Sequence, residues 1–467
     1  MASTVASSVA PYSAYFRREV PEEDKELTQV GPGTPGGEYL RRFWHPVGLS
    51  AQLQDLPRAV RILGEDLVLF RNGGGQVGLL LLHCPHRGTS LEFGTVERQG
   101  LRCCYHGWVY GVDGRILETP GEPADSTYKD RFTHGAYPTI EYKGLVFAYM
   151  GPPDERPAFP ILDTYNMPGY RMIPQWGAPS PCNWLQQAEN NMDPVHLVYL
   201  HRFEEIRSKL DPHRPSVDPA LTWDHYVEVG LEQWEEDVRT LREDTRRNHL
   251  FEWQAVPTTG FLYAWTRRIG DLVWVRIADV IPPNVDQIPR SLPISKETQE
   301  LLFDPPRTTT WTVPVDDTTT ITASFAYVLE GGSAQSRFQF TGAAVPTRTY
   351  EDRQRQPGDF EALVTQRPIA VHPLEHLAWS DTGVVMFRKA IKEGIRAVSR
   401  GENPMPELST SNGVIPTHAR STILRVPPAP TAEADRELLR ATARRVLAGE
   451  FPKSTPSGAT DSSLRSE

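Results

Sequence analysis

The chain is poor in cysteine, with four in 467 residues. That is too few for a disulfide scaffold, so any cysteines grouped with histidines point first to a metal. It also lacks a long apolar run: the longest stretch, "VGLLLLHC" at residues 77 to 84, has the length of a strand and falls well short of the roughly 18 residues of a membrane span. The opening "MASTVASSVAPYSAYFRR" has neither the basic start nor the continuous apolar segment of a secretory signal, and reads as a short flexible leader on a cytoplasmic protein. Positive charge is in deficit as well. Forty-nine basic residues against 59 acidic give a formal net charge of -10, without the clustered lysine and arginine that phosphate backbones require, which argues against nucleic acid as a partner.

What is present suggests more than one domain, since 467 residues supply buried cores for two or three. From Trp44 to about Pro120 the punctuation is that of a small β domain, with apolar strands on either side of Asn72-Gly73-Gly74-Gly75 and a second turn at Asp113-Gly114. The proline-rich "PPDERPAFPILDTYNMPGY" then reads as an extended connector. The expected division is an entry segment over 1–43, a β domain over 44–155, a larger mixed domain over 156–428, a helix over 429–451 and a disordered tail over 452–467. Within the larger part, "CNWLQQAENN" reads as a helix with Asn183 and Gln186 at capping-box spacing, and Asp193-Pro194 as the start of another. "HLFEWQAV", "FLYAWTRRI", "DLVWVRIADV", "TTTWTVPV" and "TITASFAYVL" read as strands of one antiparallel sheet, and Val384, Phe387, Ile391 and Ile395 are spaced as a helix face. The fold class is α+β. One decoy is set aside: "GPGTPG" at residues 31 to 36 fits G-x-G-x-x-G, but no apolar strand precedes it and its prolines lack the N–H groups a pyrophosphate needs.

Two constellations carry chemistry. Cys84-Pro85-His86 and Cys103-Cys104-Tyr105-His106 each follow a strand-like run, so two loops can offer one thiolate and one imidazole each. That set suits an iron pair with thiolates on one iron and imidazoles on the other, and it also suits a tetrahedral zinc. Zinc fingers, however, group like ligands together, whereas here each loop mixes them. Further on, Asp193, His196 and His201 offer a carboxylate and two imidazoles, the set favoured by a mononuclear iron(II) that keeps positions open. His196 and His201 are five apart, roughly 140° around an ideal helix, so both can reach one metal only if the helix ends or bulges between them.

"CPHRG" and "CCYHGW", together with "FWHPVG", "LGEDLVLFR" and "GLVFAYMGPP", resemble the signature of a Rieske [2Fe-2S] domain. "ENNMDPVHLVYLH" resembles the iron-binding segment of the Rieske non-haem iron oxygenases, and the chain from about Trp44 to Arg388 is similar to that family's phthalate-dioxygenase-like and aryl O-demethylase-like group. The resemblance implies a small all-β Rieske domain and a larger helix-grip domain. It implies Cys84 and Cys103 as ligands to one cluster iron, His86 and His106 as ligands to the other, and His196 and His201 on a mononuclear Fe(II). Asp193 would hydrogen-bond His196 and bridge to His106 of a neighbouring subunit, with helix capping as its plainer role, and Asn190 would lie near the iron. For the third iron ligand, "HLAWSDTGVVMFRKAI" suggests Asp381, ahead of His372, Glu375 and His376; capping of the following helix is the plain alternative.

The same resemblance implies activation of O2 with electrons from a separate NAD(P)H-dependent reductase, directly or through a ferredoxin, because the chain has no dinucleotide loop of its own. It implies a head-to-tail homotrimer, and an aromatic substrate, methoxylated or carboxylated, undergoing oxidative O-demethylation or ring hydroxylation. Arg267, Arg268 and Arg276 are the cations that could meet a carboxylate, solvated strand faces being their plain reading. Cys104 stands where the family has proline and reads as a passenger. The competing reading is a Rieske electron carrier without oxygenase activity; the respiratory kind adds a disulfide beside the cluster, whereas here no cysteine closely follows either histidine.

Overall fold

The computed structural model describes residues 11–16, 19–201, 243–244, 246–257, 259–290, 298–330, 349–355, 357–404 and 413–451. The expected tail over 452–467 lies outside the described residues. No described helix is long and apolar enough to cross a membrane.

The first part of the chain is built from short antiparallel strands: β1 (Trp44–Leu49), β2 (Arg58–Ile62), β3 (Glu65–Arg71), β4 (Val77–Leu81), β5 (Thr95–Val96), β6 (Gly100–Arg102), β7 (Val109–Gly111), β8 (Ile116–Glu118), β9 (Ala136–Tyr137), β10 (Thr139–Tyr142) and β11 (Leu145–Tyr149). They form three sheets, ordered β1-β11-β10, β2-β3-β4-β9 and β5-β6-β7-β8. The β3–β4 hairpin closes as the glycines suggest, with Asn72 Oδ1 accepting from Gly74 N at 3.1 Å and Gln76 N at 2.9 Å. Val68, Phe70 and Leu80 from this hairpin pack with Leu101, Trp108 and Tyr110 into a small core that also holds Cys84 and Cys103.

The second part has one extensive antiparallel sheet. After β12 (Ile161–Leu162) come β13 (Tyr170–Trp176), β14 (His249–Val256), β15 (Gly260–Ile269), β16 (Leu272–Ile281), β17 (Val285–Pro289), β18 (Leu301–Asp304), β19 (Pro306–Asp316) and β20 (Thr319–Leu329), then β21 (Val414–Ile415) and β22 (Arg420–Arg425). The order is β13-β20-β19-β17-β16-β15-β14, with β22 pairing β16 and β18. The five strand segments read from the sequence all fall in this sheet.

Alternation along β14 to β16 divides the sheet's residues between two layers. Leu262, Ala264, Val273, Val275 and Ile277 point to one side and pack under Leu439, Ala443 and Val446 of the C-terminal helix α5 (Ala432–Leu447). Phe251, Tyr263, Trp265 and Ala278 point to the other and pack against Val195, Leu197 and Val198. Both faces of β16 are therefore covered, which is why it reads as a nearly continuous apolar run.

Four more helices matter to the site: α1 (Trp184–Asn190), α2 (His196–Tyr199), α3 (Asp359–Val364) and α4 (Thr382–Ser399). Asn183 caps α1, its Oδ1 accepting from Leu185 N at 3.1 Å, but no capping box forms. Gln186 instead donates to Leu363 O at 2.9 Å and accepts from Ala370 N at 2.9 Å, tying α1 to the α3 segment. Helix α4 buries Val384, Phe387, Ile391 and Ile395 as their spacing predicts. Phe387, Ile391 and Ile395 join Trp184, Trp311 and Phe147 in a core that spans both parts of the chain. Burying a side chain of this kind contributes about 1.5–3 kcal/mol each, so α4 is a principal anchor of the site region.

Candidate metal centres

The two cysteine loops are built alike. In the first, Cys84 N donates to Thr89 O at 2.9 Å and Gly88 N to Cys84 O at 2.8 Å; in the second, Cys103 N donates to Trp108 O at 2.8 Å and Gly107 N to Cys103 O at 3.1 Å. Each loop thus turns back at a glycine four residues after its cysteine, with φ of +79° at Gly88 and +74° at Gly107, a region that side chains with a Cβ enter at a cost. The turns sink both cysteines into the core, at 3% and 2% exposure, and lift the histidines outward: His86 is exposed and His106 half-buried. The imidazole centroids lie 4.5 Å apart, and His86 stacks on Trp108 at 4.6 Å and 8°.

Cys84 Sγ lies 2.9 Å from the Tyr110 hydroxyl, and the backbone N–H groups of Tyr105 and His106 point at Cys103. Burial and the neighbouring Cys84 raise the Cys103 thiol pKa against those N–H groups, so two thiolates here call for a cation between them. The separation of donor types, sulfur inside and imidazole outside, fits an iron pair. A single tetrahedral ion fits less well: bonds of about 2.0–2.3 Å would draw all four donors close together, yet no three of the four lie within 4.8 Å of one another. Cys104 is exposed and turned away from this core.

The second centre is assembled across the chain. Helix α2 ends at Tyr199, which releases His201 from the helical repeat and lets both imidazoles face one point, the interruption that their spacing requires. His196, His201 and Asp359 place one donor atom each within 4.8 Å of one another. His201 Nε2 is 3.2 Å from Asp359 Oδ2, and His196 Nε2 is 3.6 Å from Asp359 Oδ1. Asp359 opens α3, 158 residues after His201. Burial opposes its ionisation, but hydrogen bonding and charge from His201, His196 and Asn190 outweigh burial and hold its carboxyl below the ordinary range. Two imidazoles and one carboxylate on one side, with the remaining directions open, is a donor set that suits mononuclear iron.

Asp359, and not Asp381, is the carboxylate that stands with these two histidines. Asp381 lies outside this group because its carboxylate is spent on its own turn, accepting from Ala378 N at 2.7 Å and Ser380 Oγ at 3.4 Å, and it ends where α4 begins. The rivals lie elsewhere too. His372 and Glu375 stand beside Glu189, where the Arg388 guanidinium pairs bidentately with each carboxylate, at 2.7 Å from both Glu189 oxygens, and His376 is exposed. Asn190 sits at the Asp359 carboxylate, its Nδ2 3.5 Å from Oδ1.

Asp193 has two contacts. Its Oδ1 caps α2, accepting from Val195 N at 2.9 Å and His196 N at 3.3 Å, while Oδ2 lies 3.7 Å from His196 Nδ1. That Nδ1 is buried with no hydrogen-bond partner, so His196 has Asp359 on its Nε2 side and Asp193 on the other. Asn190, Asp193, Glu189 and Asp381 border a surface hollow of about 400 Å³. A larger apolar cavity of about 480 Å³ lies between Trp44, Phe261, Trp311 and Ala390 and is lined by none of these donors.

Comparison with known proteins identifies the family. Residues 43–132 match the Rieske [2Fe-2S] domain. The chain is 37% identical over 454 residues, 94% of its length and 91% of the relative's, to the tert-butanol monooxygenase / tert-amyl alcohol desaturase oxygenase subunit of Aquincola tertiaricarbonis. It is 34% identical to the phenoxybenzoate dioxygenase subunit alpha of Ectopseudomonas oleovorans, covering 86% of this chain and 92% of that one. The crystal structure of dicamba monooxygenase bound to dicamba shares the fold, with a TM-score of 0.54 at 17% identity, covering 77% of this chain and 99% of the other. Two metal centres of these kinds on one chain define a Rieske-type oxygenase subunit. The protein belongs to that family, the Rieske non-haem iron oxygenases, and is an oxidoreductase of the mono- or dioxygenase type.

Proposed function

We propose that Cys84 and Cys103 hold one iron of the Rieske cluster and His86 and His106 the other, and that His196, His201 and Asp359 hold the mononuclear iron. The observation that carries this reading is the convergence of His196, His201 and Asp359 on one point with Asp193 on the far side of His196. When bound, the cluster supplies single electrons and the mononuclear iron supplies the centre at which O2 is reduced. The chain's own part is to fix those sites: α1 sets Asn190 against Asp359, and Asp193 orients His196 from its Nδ1 side while capping α2. Residues 44–155 act as the cluster domain and 156–428 as the catalytic domain.

The substrate is aromatic, oxidised by O-demethylation or ring hydroxylation. The aromatic layer of Phe251, Tyr263 and Trp265 packed against the α2 segment supports that choice, as does the relative that acts on phenoxybenzoate. The tert-butanol relative shows that the same family at similar identity also takes a neutral aliphatic alcohol, so charge and aromaticity are separate questions. Electrons come from a separate NAD(P)H-dependent reductase, with or without a ferredoxin. The chain works as a homotrimer in the cytoplasm, where exposed His86 and half-buried His106 of one copy face the Asp193 hollow of the next.

The test is reduction under anaerobic conditions followed by O2 exposure with methoxylated and carboxylated aromatics, scored by mass for loss of CH2 or gain of oxygen. Product formed in step with electron consumption supports the reading. If no aromatic couples the two, the aromatic assignment fails. Iron present in the cluster alone, with none in mononuclear form, defeats the catalytic centre itself.

A further inference from the structure

Four arginines on or beside the catalytic sheet could carry an anion site, and the structure separates them by what already neutralises each. Arg268 is paired with Asp435, its Nε 2.9 Å from Oδ2 and its Nη2 2.5 Å from Oδ1. Arg267 is more than a third exposed and lies 3.6 Å from Asp244. Arg420 is buried but directs its guanidinium at Val446 O and Phe451 O, the carbonyl end of α5, where the helix dipole favours a cation. Arg276 has no such partner among the described residues.

Arg276 is 4% exposed. Its Nη2 donates to Pro289 O at 3.0 Å, and its Nε is buried without a hydrogen-bond partner. The guanidinium carbon lies 5.1 Å from the Trp265 ring centroid and 5.2 Å from that of Trp274. Rings orient a cation and offset part of the cost of burying it, but they do not replace the water a guanidinium loses. A buried charge with a free N–H and no counter-ion weakens the folded state unless something else is gained.

Its position says what that gain is. The β15–β16 register pairs Trp265 with Arg276 and Tyr263 with Ala278, so Arg276 shares the sheet face that packs against Val195, Leu197 and Val198, the residues flanking His196. The Tyr263 phenol, buried on that face, lies within electrostatic range of both Arg276 and Asp193, so the guanidinium and the iron-bearing segment border the same aromatic layer. We infer that Arg276 is the specificity-determining cation of the catalytic site, which accepts the carboxylate of a singly anionic aromatic substrate and directs the ring toward the side that holds His196, His201 and Asp359. The inference rests on the oxygenase reading above and adds to it the charge of the substrate and the residue that reads it. A guanidinium offers a planar fork to a carboxylate, so an incoming acid supplies the counter-ion that the described residues do not.

Binding tests this without turnover. The anaerobic holoenzyme is titrated calorimetrically with 3-methoxybenzoate and 3-phenoxybenzoate, and with the carboxamides of both as neutral counterparts of the same shape. The wild type binds at least one acid roughly tenfold or more tighter than its amide, and Arg276→Gln binds acid and amide within about twofold of each other. Arg276→Lys keeps the charge but loses the fork, and its preference for the acid falls by about half an order of magnitude or more; it carries the test if the glutamine variant fails to fold. A wild type that binds neither acid, or binds acids no tighter than amides, overturns the inference, as does an undiminished acid preference in the variants.

Oxygen-dependent mass change with the same four compounds separates this from the oxygenase reading. Equal oxidation of acids and amides keeps the oxygenase and removes the role of Arg276. Acid-selective binding abolished by the substitutions, with no oxidation of any compound, keeps the anion site and removes the aromatic-oxidation reading.

Discussion

The cluster loops and the mononuclear centre solve the same problem, holding metal donors in fixed directions, by opposite routes. All four proposed cluster donors fall between Cys84 and His106, in two turns with the same pair of backbone hydrogen bonds and the same left-handed glycine. The proposed mononuclear donors come from two places 158 residues apart, and need helix α1, the end of α2, the start of α3 and the packing of α4 to meet. Local turns secure the first; long-range packing secures the second. Damage should therefore stay confined in the cluster loops and spread in the catalytic part.

The largest effects test that division directly. Asp359→Ala or His196→Ala should abolish turnover and remove the mononuclear iron while leaving the cluster's visible absorption intact, and Asp381→Ala should keep both metals; iron content together with the absorption spectrum checks this. Mononuclear iron lost in Asp381→Ala and kept in Asp359→Ala would reverse the ligand assignment. Cys84→Ser should do the converse of Asp359→Ala, bleaching the cluster without loss of the mononuclear iron.

Next in size is Arg388→Ala. Glu189 is fully buried, and burial raises its pKa against the lowering by Arg388, so removing the guanidinium strands a carboxylate inside the α1–α4 interface. A cost of about 3–5 kcal/mol is expected in urea unfolding. Because α1 carries Asn190, the mononuclear iron should weaken in parallel while the cluster holds. Gly107→Ala probes the other side of the comparison. It forces a Cβ into φ +74° and to 2.9 Å from Pro120 Cγ, so a loss of about 1–3 kcal/mol is expected, read as faster bleaching of the cluster with the mononuclear iron retained.

A pH-dependent effect belongs to the catalytic part. Burial pushes the Asp286 carboxyl up to about 8, with Asn191 Nδ2 3.0 Å from its Oδ2. A carboxyl raised in the folded state keeps its proton there while the unfolded chain gives it up, so stability is fully present below the unfolded value and declines as pH rises toward 8. The slope is about 1.4 kcal/mol per pH unit across that window. Asp286→Asn should flatten it, which thermal unfolding between pH 5 and 8 would show; an unchanged slope would place the carboxylate in a wetter setting. Least of all, Cys104→Ser should leave both metals and stability unchanged.

Legibility followed the same line. The candidate cluster donors could be read because their spacing, C-x-H and C-x-x-H after strands, puts them in two short turns. His196 and His201 were legible for a related reason: five residues cannot share a helix face, so the break at Tyr199 was implied by the chemistry. Asp359, the proposed third ligand, drew no notice because its local signal is that of a helix start, Gly358-Asp359 with Glu361 accepting from Gly358 N at 2.8 Å. An aspartate at such a position is ordinarily read as a cap, whereas Asp381 was favoured through the resemblance of its segment to the family's aspartate before a helix. Arg267, Arg268 and Arg276, on neighbouring strands, look alike in sequence, and only the register and the placement of Asp435 and Asp244 distinguish the paired cations from the one with no carboxylate partner among the described residues.

By itself the sequence determined much of what short-range stereochemistry controls: the strand and helix periods, the turn glycines, and the two C/H loops and the paired histidines as candidates. Tertiary structure decided which carboxylate meets those histidines, which of Arg267, Arg268 and Arg276 has no carboxylate partner among the described residues, and which face of β16 looks toward the iron-bearing segment. These depend on which distant elements pack together, and a carboxylate or guanidinium carries no mark in its own neighbourhood of the partner that packing will bring to it.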